Sequence, residues 1–315
     1  MIINILYLII GFVLLILGGN WLLKASVALA NRIGLSKIII GLTVVSFATS
    51  APELIVSINA AIQGSSGISL GNVIGSNIAN IGLVLGATIL ISPIQVPQNF
   101  VKKDWLFLMF VTSMLIIFLL VDNFLSRVEG IILIGILTLF VYRLLKRKDD
   151  EIELDPELDD TLKKLDKWSL ILFYLLIGGV GLWLGADLLV KGAKNIALAF
   201  KVSESVIGLT VVAIGTSIPE LAASIVAVLK NEKSISFGNL IGSNIFNILS
   251  VLGITAIIQP IHVEDTRFLN NDVWWMLGFS FILLPFIFIL KKDILGRFEG
   301  IVLLIAYVIY IYMAF

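Results

Sequence analysis

Apolar runs of about 20 residues, the length a helix needs to cross a bilayer, take up most of this 315-residue chain. Ten of them stand near 2–24, 37–62, 70–92, 105–122, 128–145, 169–192, 205–229, 237–260, 273–291 and 298–314. In hydrocarbon every backbone polar group must be satisfied internally, and runs of this length do so as α-helices. The sequence therefore predicts an all-α polytopic membrane protein with ten transmembrane helices. Composition agrees: 59% of residues are hydrophobic, mean hydropathy is +1.06 and 14% are charged, against about a quarter in a soluble domain. Trp105, Trp168, Trp274 and Trp275 fall at span starts, where interfacial anchors are common. The first run, "MIINILYLIIGFVLLILGG", has neither a basic segment nor an evident cleavage site, and is expected to be a retained span and not a signal peptide.

The long polar stretch "LLKRKDDEIELDPELDDTLKKLDKW" divides the runs five and five. The expected organisation is residues 1–145 as a first five-helix repeat, 146–167 as a solvated linker and 168–315 as a second repeat. At an offset of 167 residues, "GLTVVSFATSAPE" (41–53) meets "GLTVVAIGTSIPE" (208–220) with nine of thirteen positions identical. "GNVIGSNIAN" (71–80) meets "GNLIGSNIFN" (238–247) with eight of ten identical, and "RVEG" at 127–130 meets "RFEG" at 297–300. An odd number of spans per copy sends the second into the membrane from the opposite side, which makes two inverted five-helix repeats, an arrangement typical of secondary transporters. With the N-terminus outside, sixteen Lys and Arg fall on inside loops against five outside. The positive-inside rule thus predicts a multi-pass cell-membrane protein with both termini outside and the linker cytoplasmic.

Two acidic residues sit near the middle of spans, Glu53 and Glu220, each after a proline and each inside the matched motif. Ionisable groups at that depth are expensive and functional by default. Read as one helix, Ser46, Ser50, Glu53 and Ser57 share a face, with Thr49 one turn before Glu53. Ala213, Ser217, Glu220 and Ser224 correspond, with Thr216 before Glu220. The following spans carry the stripes Ser69, Asn72, Ser76, Asn80 and Ser236, Asn239, Ser243, Asn247. Inside a helix Pro52 would leave the carbonyl of Ala48 without its donor, and Pro219 that of Gly215. Backbone oxygens, hydroxyls and a carboxylate together suit a hard cation, and two Glu balance one Ca2+, two Na+ or two protons. The outer serines of these faces and Asn72 and Asn239 read as helix–helix contacts. Glu129 and Glu299, at span starts beside Arg127 and Arg297, read as interfacial structure, and Asp187 as a packing or capping contact. The acidic linker lacks EF-hand spacing. The absence of Cys excludes disulfides and thiolate chemistry, and a single His262, in the loop-like "PIHVED", excludes a two-His zinc site.

The paired "TSxPE" and "GNxIGSNIxN" motifs in inverted five-span halves resemble the alpha repeats of the sodium/calcium exchanger family, within the calcium/cation antiporter superfamily. The resemblance covers all ten spans. It implies alternating access around a four-helix ion site, with the first and sixth spans sliding as a gate. It carries the ion-coordinating positions onto Ser46, Thr49, Ser50, Glu53, Ser76 and Asn80, and onto Ala213, Thr216, Ser217, Glu220, Ser243 and Asn247. The two Glu, with the carbonyls of Thr49 and Thr216, are implied to bind Ca2+, and surrounding oxygens Na+. Potassium-dependent members, and some archaeal ones, have Asp where Asn247 stands, and proton-coupled members tend to have "GN" in place of "TS".

The expected function is therefore a Na+/Ca2+ antiporter with a midplane site built on Glu53 and Glu220. The alternative is a Ca2+/H+ antiporter using the same glutamates. A passive cation channel and an intramembrane enzyme are the readings from other classes. A closed cation site suits exchange better than a channel, and no further catalytic apparatus is visible. The expected partners are Ca2+, Na+ and the lipid bilayer, with no cofactor, no nucleic acid and no protein partner.

Overall fold

The computed structural model describes residues 2–97, 100–147, 165, 167–200, 215–263, 265–290 and 293–314. In chain order its helices are α1 (Ile2–Ile33), α2 (Lys37–Thr49), α3 (Ala51–Ile62), α4 (Ser66–Ile91), α5 (Val101–Asp122), α6 (Arg127–Lys146), α7 (Trp168–Ala199), α8 (Ile218–Leu229), α9 (Lys233–Ile258), α10 (Phe268–Phe288) and α11 (Arg297–Ala314). Among the described residues, seven of these are long and apolar enough to cross a membrane, or eight if α2 and α3 count as one broken span. Among the described residues there are also four two-residue strands: β1 (Ile94–Gln95), β2 (Phe124–Leu125), β3 (Ile261–His262) and β4 (Ile294–Leu295). The first helix runs on to Ile33, beyond the expected end near 24, because "KASVALANRI" continues with good helix formers.

Packing divides the chain into two compact units, Met1–Thr49 with Lys148–Asn239, and Ser50–Arg147 with Leu240–Phe315. Each draws on both halves of the sequence. In the first unit α1 and α7 pack along their length. A Cβ on Gly11 would lie 2.8 Å from the Gly185 carbonyl oxygen, and one on Gly18 would lie 2.7 Å from the Leu182 amide and 2.9 Å from the Gly178 oxygen. Rising numbers on α1 meet falling numbers on α7, so the two helices run antiparallel. Gly178 and Gly185 stand 167 residues after Gly11 and Gly18. Small residues at these four points let the backbones touch, the usual solution where lipid supplies no hydrophobic drive between helices.

The second unit repeats this exchange of partners. A Cβ on Gly86 of α4 would lie 3.2 Å from the Gly300 oxygen of α11, and one on Gly130 of α6 would lie 2.7 Å from the Gly253 oxygen of α9. The strands pair antiparallel in the same crossed manner, Ile94↔Leu295 in β1–β4 and Leu125↔Ile261 in β2–β3. His262 lies in the second ribbon, stacked on Phe124 at 5.4 Å between ring centroids.

Helix ends explain several of the remaining polar residues. Ser126 and Glu129 form a capping box on α6: the Glu129 amide donates to Ser126 Oγ at 3.2 Å and the Ser126 amide to Glu129 Oε2 at 2.7 Å. Glu299 accepts the Gly296 amide at 2.8 Å ahead of α11. Asp187 pairs with Lys191 one turn on, at 2.6 Å. Arg147 donates two bonds to the buried Asp104, at 2.8 and 3.1 Å, and Lys37 meets Glu232 at 2.9 Å. Trp105 corrects the expectation of an interfacial anchor: it is buried, with its indole N–H donated to the Ser280 carbonyl at 2.8 Å. Its polar edge finds a protein acceptor and needs no water.

Candidate cation site

Proline decides the local geometry. Its ring clashes with the carbonyl four residues back, so it breaks a helix interior but is tolerated in a first turn, where the missing N–H has no acceptor anyway. The chain accordingly ends α2 at Thr49, passes Ser50 at φ −84°, ψ 2°, and starts α3 at Ala51 with Pro52 in its first turn. Ser217 has φ −90°, ψ 2°, and Pro219 stands in the first turn of α8. The continuous helix expected to carry Ser46, Ser50, Glu53 and Ser57 on one face is therefore broken at Ser50. The break makes a whole turn of α2 carbonyls look outside the helix for donors, where the sequence reading considered one; that of Ser46 accepts Thr49 Oγ1 at 3.3 Å. It also places Glu53 and Glu220 in the first turn of α3 and α8, at the positive end of the helix dipole, which favours a carboxylate. Both glutamates are fully buried.

Each unit organises its own polar residues. In the first, Gly41 and Gly238 bring α2 and α9 into backbone contact: a Cβ on Gly41 would lie 2.5 Å from the Ile235 oxygen, and one on Gly238 would lie 2.5 Å from the Ile38 oxygen. At that spacing Thr49 Oγ1 donates to Asn239 Oδ1 at 3.1 Å and Ser46 Oγ to the Asn239 carbonyl at 3.0 Å. Asn239 Nδ2 in turn donates to Ser224 Oγ at 3.2 Å, and Ser236 Oγ to the Ser224 carbonyl at 3.1 Å. Ser217 Oγ is buried and has no hydrogen-bond partner among the described residues. Thr216 is half-buried. Ala213 lies outside the described residues.

In the second unit Asn72 Nδ2 donates to the Glu53 carbonyl at 3.2 Å and to Ser57 Oγ at 3.0 Å, so Asn72 and Asn239 join helices as expected. Ser50, Ser76 and Ser243 are buried. Asn80 and Asn247 each open a π-helical turn, Asn80–Leu85 in α4 and Asn247–Leu252 in α9. Such wide turns recur at functional sites. They belong to a ring of four buried asparagines. Asn77 Nδ2 donates to the Asn244 carbonyl at 3.3 Å and Asn244 Nδ2 to the Asn77 carbonyl at 3.1 Å. Asn80 Nδ2 donates to Asn244 Oδ1 and Asn247 Nδ2 to Asn77 Oδ1, both at 3.1 Å. Asn77 and Asn244 escaped the sequence reading because they lie off the polar stripe. Their signal was the identity of "GSNI" in both motifs.

Among the described residues, no group of three or more His, Cys, Asp or Glu gathers that could hold a metal. A cation here must lean on neutral oxygens besides a carboxylate. Hydroxyls, amide carbonyls and the ends of broken helices are ligands for Na+ and Ca2+, and poor ones for transition metals.

A sequence model described as "Sodium/calcium exchanger protein" matches residues 3–146 and 170–315. The chain belongs to the sodium/calcium exchanger family. It is 39% identical over 320 residues to a putative antiporter CaxA of Alkalimonas amylolytica, covering 100% of this chain and 99% of that one. It is 31% identical to the sodium/calcium exchanger MaX1 of Methanosarcina acetivorans, covering 99% of each. The fold superposes on the sodium-calcium exchanger NCX_Mj with a TM-score of 0.84 at 33% identity, over 100% of this chain and 99% of that one. Exchangers of this family are all-helical membrane transporters, so the chain is a multi-pass antiporter-type protein and not an enzyme.

Proposed function

We propose that this exchanger carries Ca2+ across the membrane against Na+ by alternating access, and that the transport draws on both Glu53 and Glu220. The observation that carries the reading is the helix start made twice: each half buries one carboxylate in the first turn of a helix that begins just after Ser50 or Ser217. Two carboxylates match the charge of one Ca2+ or two Na+. Thr49, Ser50, Ser76, Asn80 and their counterparts Thr216, Ser217, Ser243 and Asn247 supply neutral oxygens, with Ser46 and Ala213 as a further matched pair. The names of MaX1 and NCX_Mj, matched over nearly the whole chain, support the choice of ions.

The reading extends to architecture. Ten helices form two inverted five-helix repeats, 1–145 and 168–315, joined by a cytoplasmic linker at 146–167, with both termini outside. The antiparallel run of α1 against its equivalent α7 supports inversion, and so does the crossed pairing of β1–β4 and β2–β3, in which each strand takes the partner that its equivalent's match in the other half supplies. The test of the function is Ca2+ uptake into proteoliposomes with one gradient imposed at a time. An outward Na+ gradient at fixed pH is expected to drive uptake. Uptake driven only by a pH gradient would instead assign the glutamates to protons.

A further inference from the structure

An asparagine amide has two ends of nearly the same shape, and only the carbonyl end can bind a cation. Something must therefore decide which end of Asn80 and Asn247 faces outward from the ring. The main chain makes that choice. A main-chain carbonyl only accepts, so Asn77 must turn its Nδ2 to the Asn244 carbonyl, and Asn244 its Nδ2 to the Asn77 carbonyl. That leaves Oδ1 of Asn77 as the atom available to Asn247, and Oδ1 of Asn244 as the atom available to Asn80. Asn247 and Asn80 can meet those acceptors only with Nδ2. Their own Oδ1 atoms are thereby turned away from the ring.

Both of those oxygens are buried, and neither accepts a hydrogen bond from the described residues. A buried amide carbonyl without a partner is costly, and its cost is removed by a cation. The two residues open the π-helical turns in equivalent places, so the presentation is made twice, once by each half. We propose that Asn77 and Asn244 are positioning residues: through this ring they hold the side-chain carbonyls of Asn247 and Asn80 outward as ligands for a transported cation. The inference rests on the reading of Asn80 and Asn247 as cation ligands. It adds that a donor is required at both positions. A carboxylate at 80 or 247 would set oxygen against oxygen in the ring unless it carried a proton.

The test uses the full chain in proteoliposomes under an outward Na+ gradient, with the apparent KM for Ca2+ and half-saturating Na+ both measured. Asn77→Ser, too short to reach either partner, is expected to weaken the apparent affinity for at least one ion about tenfold, with the maximal rate less affected. Asn77→Asp keeps the shape and the acceptor for Asn247 but sets a carboxylate oxygen against the Asn244 carbonyl, so it is expected to weaken the affinity as well unless the carboxyl carries a proton. Asn247→Ala should match Asn77→Ser, and the double variant should lose no more than either single, because both act through one carbonyl. Additive losses, or lowered thermal stability of Asn77→Ser at unchanged affinity, would overturn the proposal. Unchanged affinity in Asn80→Ala and Asn247→Ala would sink the ligand reading and the proposal with it. Weakened affinity in those two beside normal affinity in Asn77→Ser would sink the proposal alone. If Asn77→Ser is not monodisperse, Asn244→Ser read against Asn80→Ala makes the same comparison.

Discussion

Replacing Glu53 by Gln keeps the side-chain volume and one carbonyl oxygen and removes one charge. The residue is fully buried in the first turn of α3, so water cannot screen the change. A unit charge pair 4 Å apart is worth about 4 kcal/mol at an effective dielectric constant of 20, and a divalent cation doubles it to roughly 8 kcal/mol. The retained carbonyl oxygen and the relief of carboxylate desolvation return part of that. Even a net loss of about 3 kcal/mol lowers Ca2+ affinity more than a hundredfold. Glu220→Gln should behave alike, since α8 holds its glutamate in the same first-turn position. The assay is Na+-driven Ca2+ uptake into proteoliposomes, beside size-exclusion elution and circular dichroism of the purified variants. Both variants are expected to be folded and to lose transport. Near-normal Ca2+ flux in either folded variant would refute the charge argument, because a glutamate that only packs helices can be replaced by Gln.

Two further outcomes are expected. A cysteine placed at position 156 of this Cys-free chain should resist an impermeant thiol reagent in intact cells and react in inside-out vesicles; labelling in intact cells would reverse the orientation. Gly178→Ala should push the new Cβ to 2.6 Å from the Leu22 amide and cost about 1–3 kcal/mol by overpacking, read as a lower temperature for loss of monodisperse protein. Gly135→Ala, where a Cβ meets nothing within 4 Å, should leave that temperature unchanged.

The sequence made the apolar runs, the duplication and the two buried glutamates legible, because hydropathy and repetition are local signals. The break at Ser50 was half legible. Pro52 announced that a helix interior was impossible there, but periodicity alone continued one face from Ser46 to Ser57. The π-helical turns at Asn80 and Asn247 left no trace, since a wide turn inside an apolar helix changes neither composition nor length. Trp105 was misplaced because its acceptor, the Ser280 carbonyl, is 175 residues away. Asn77 and Asn244 went unnoticed for the same reason: their role lies in each other, at a separation of 167 residues.

The crossed contacts have the symmetry of a dimer. Asn77 bonds to Asn244 and Asn244 to Asn77, Gly86 meets Gly300 while Gly253 meets Gly130, and β1–β4 is matched by β3–β2. A residue of one copy touching its partner's equivalent, and the reverse, is the signature of an isologous interface in a two-fold dimer. Within one chain it means that the two halves of the sequence meet as the subunits of such a dimer would. A dimer of identical chains changes its asparagine ring in two places with every substitution, whereas here Asn77 and Asn244 can be altered one at a time.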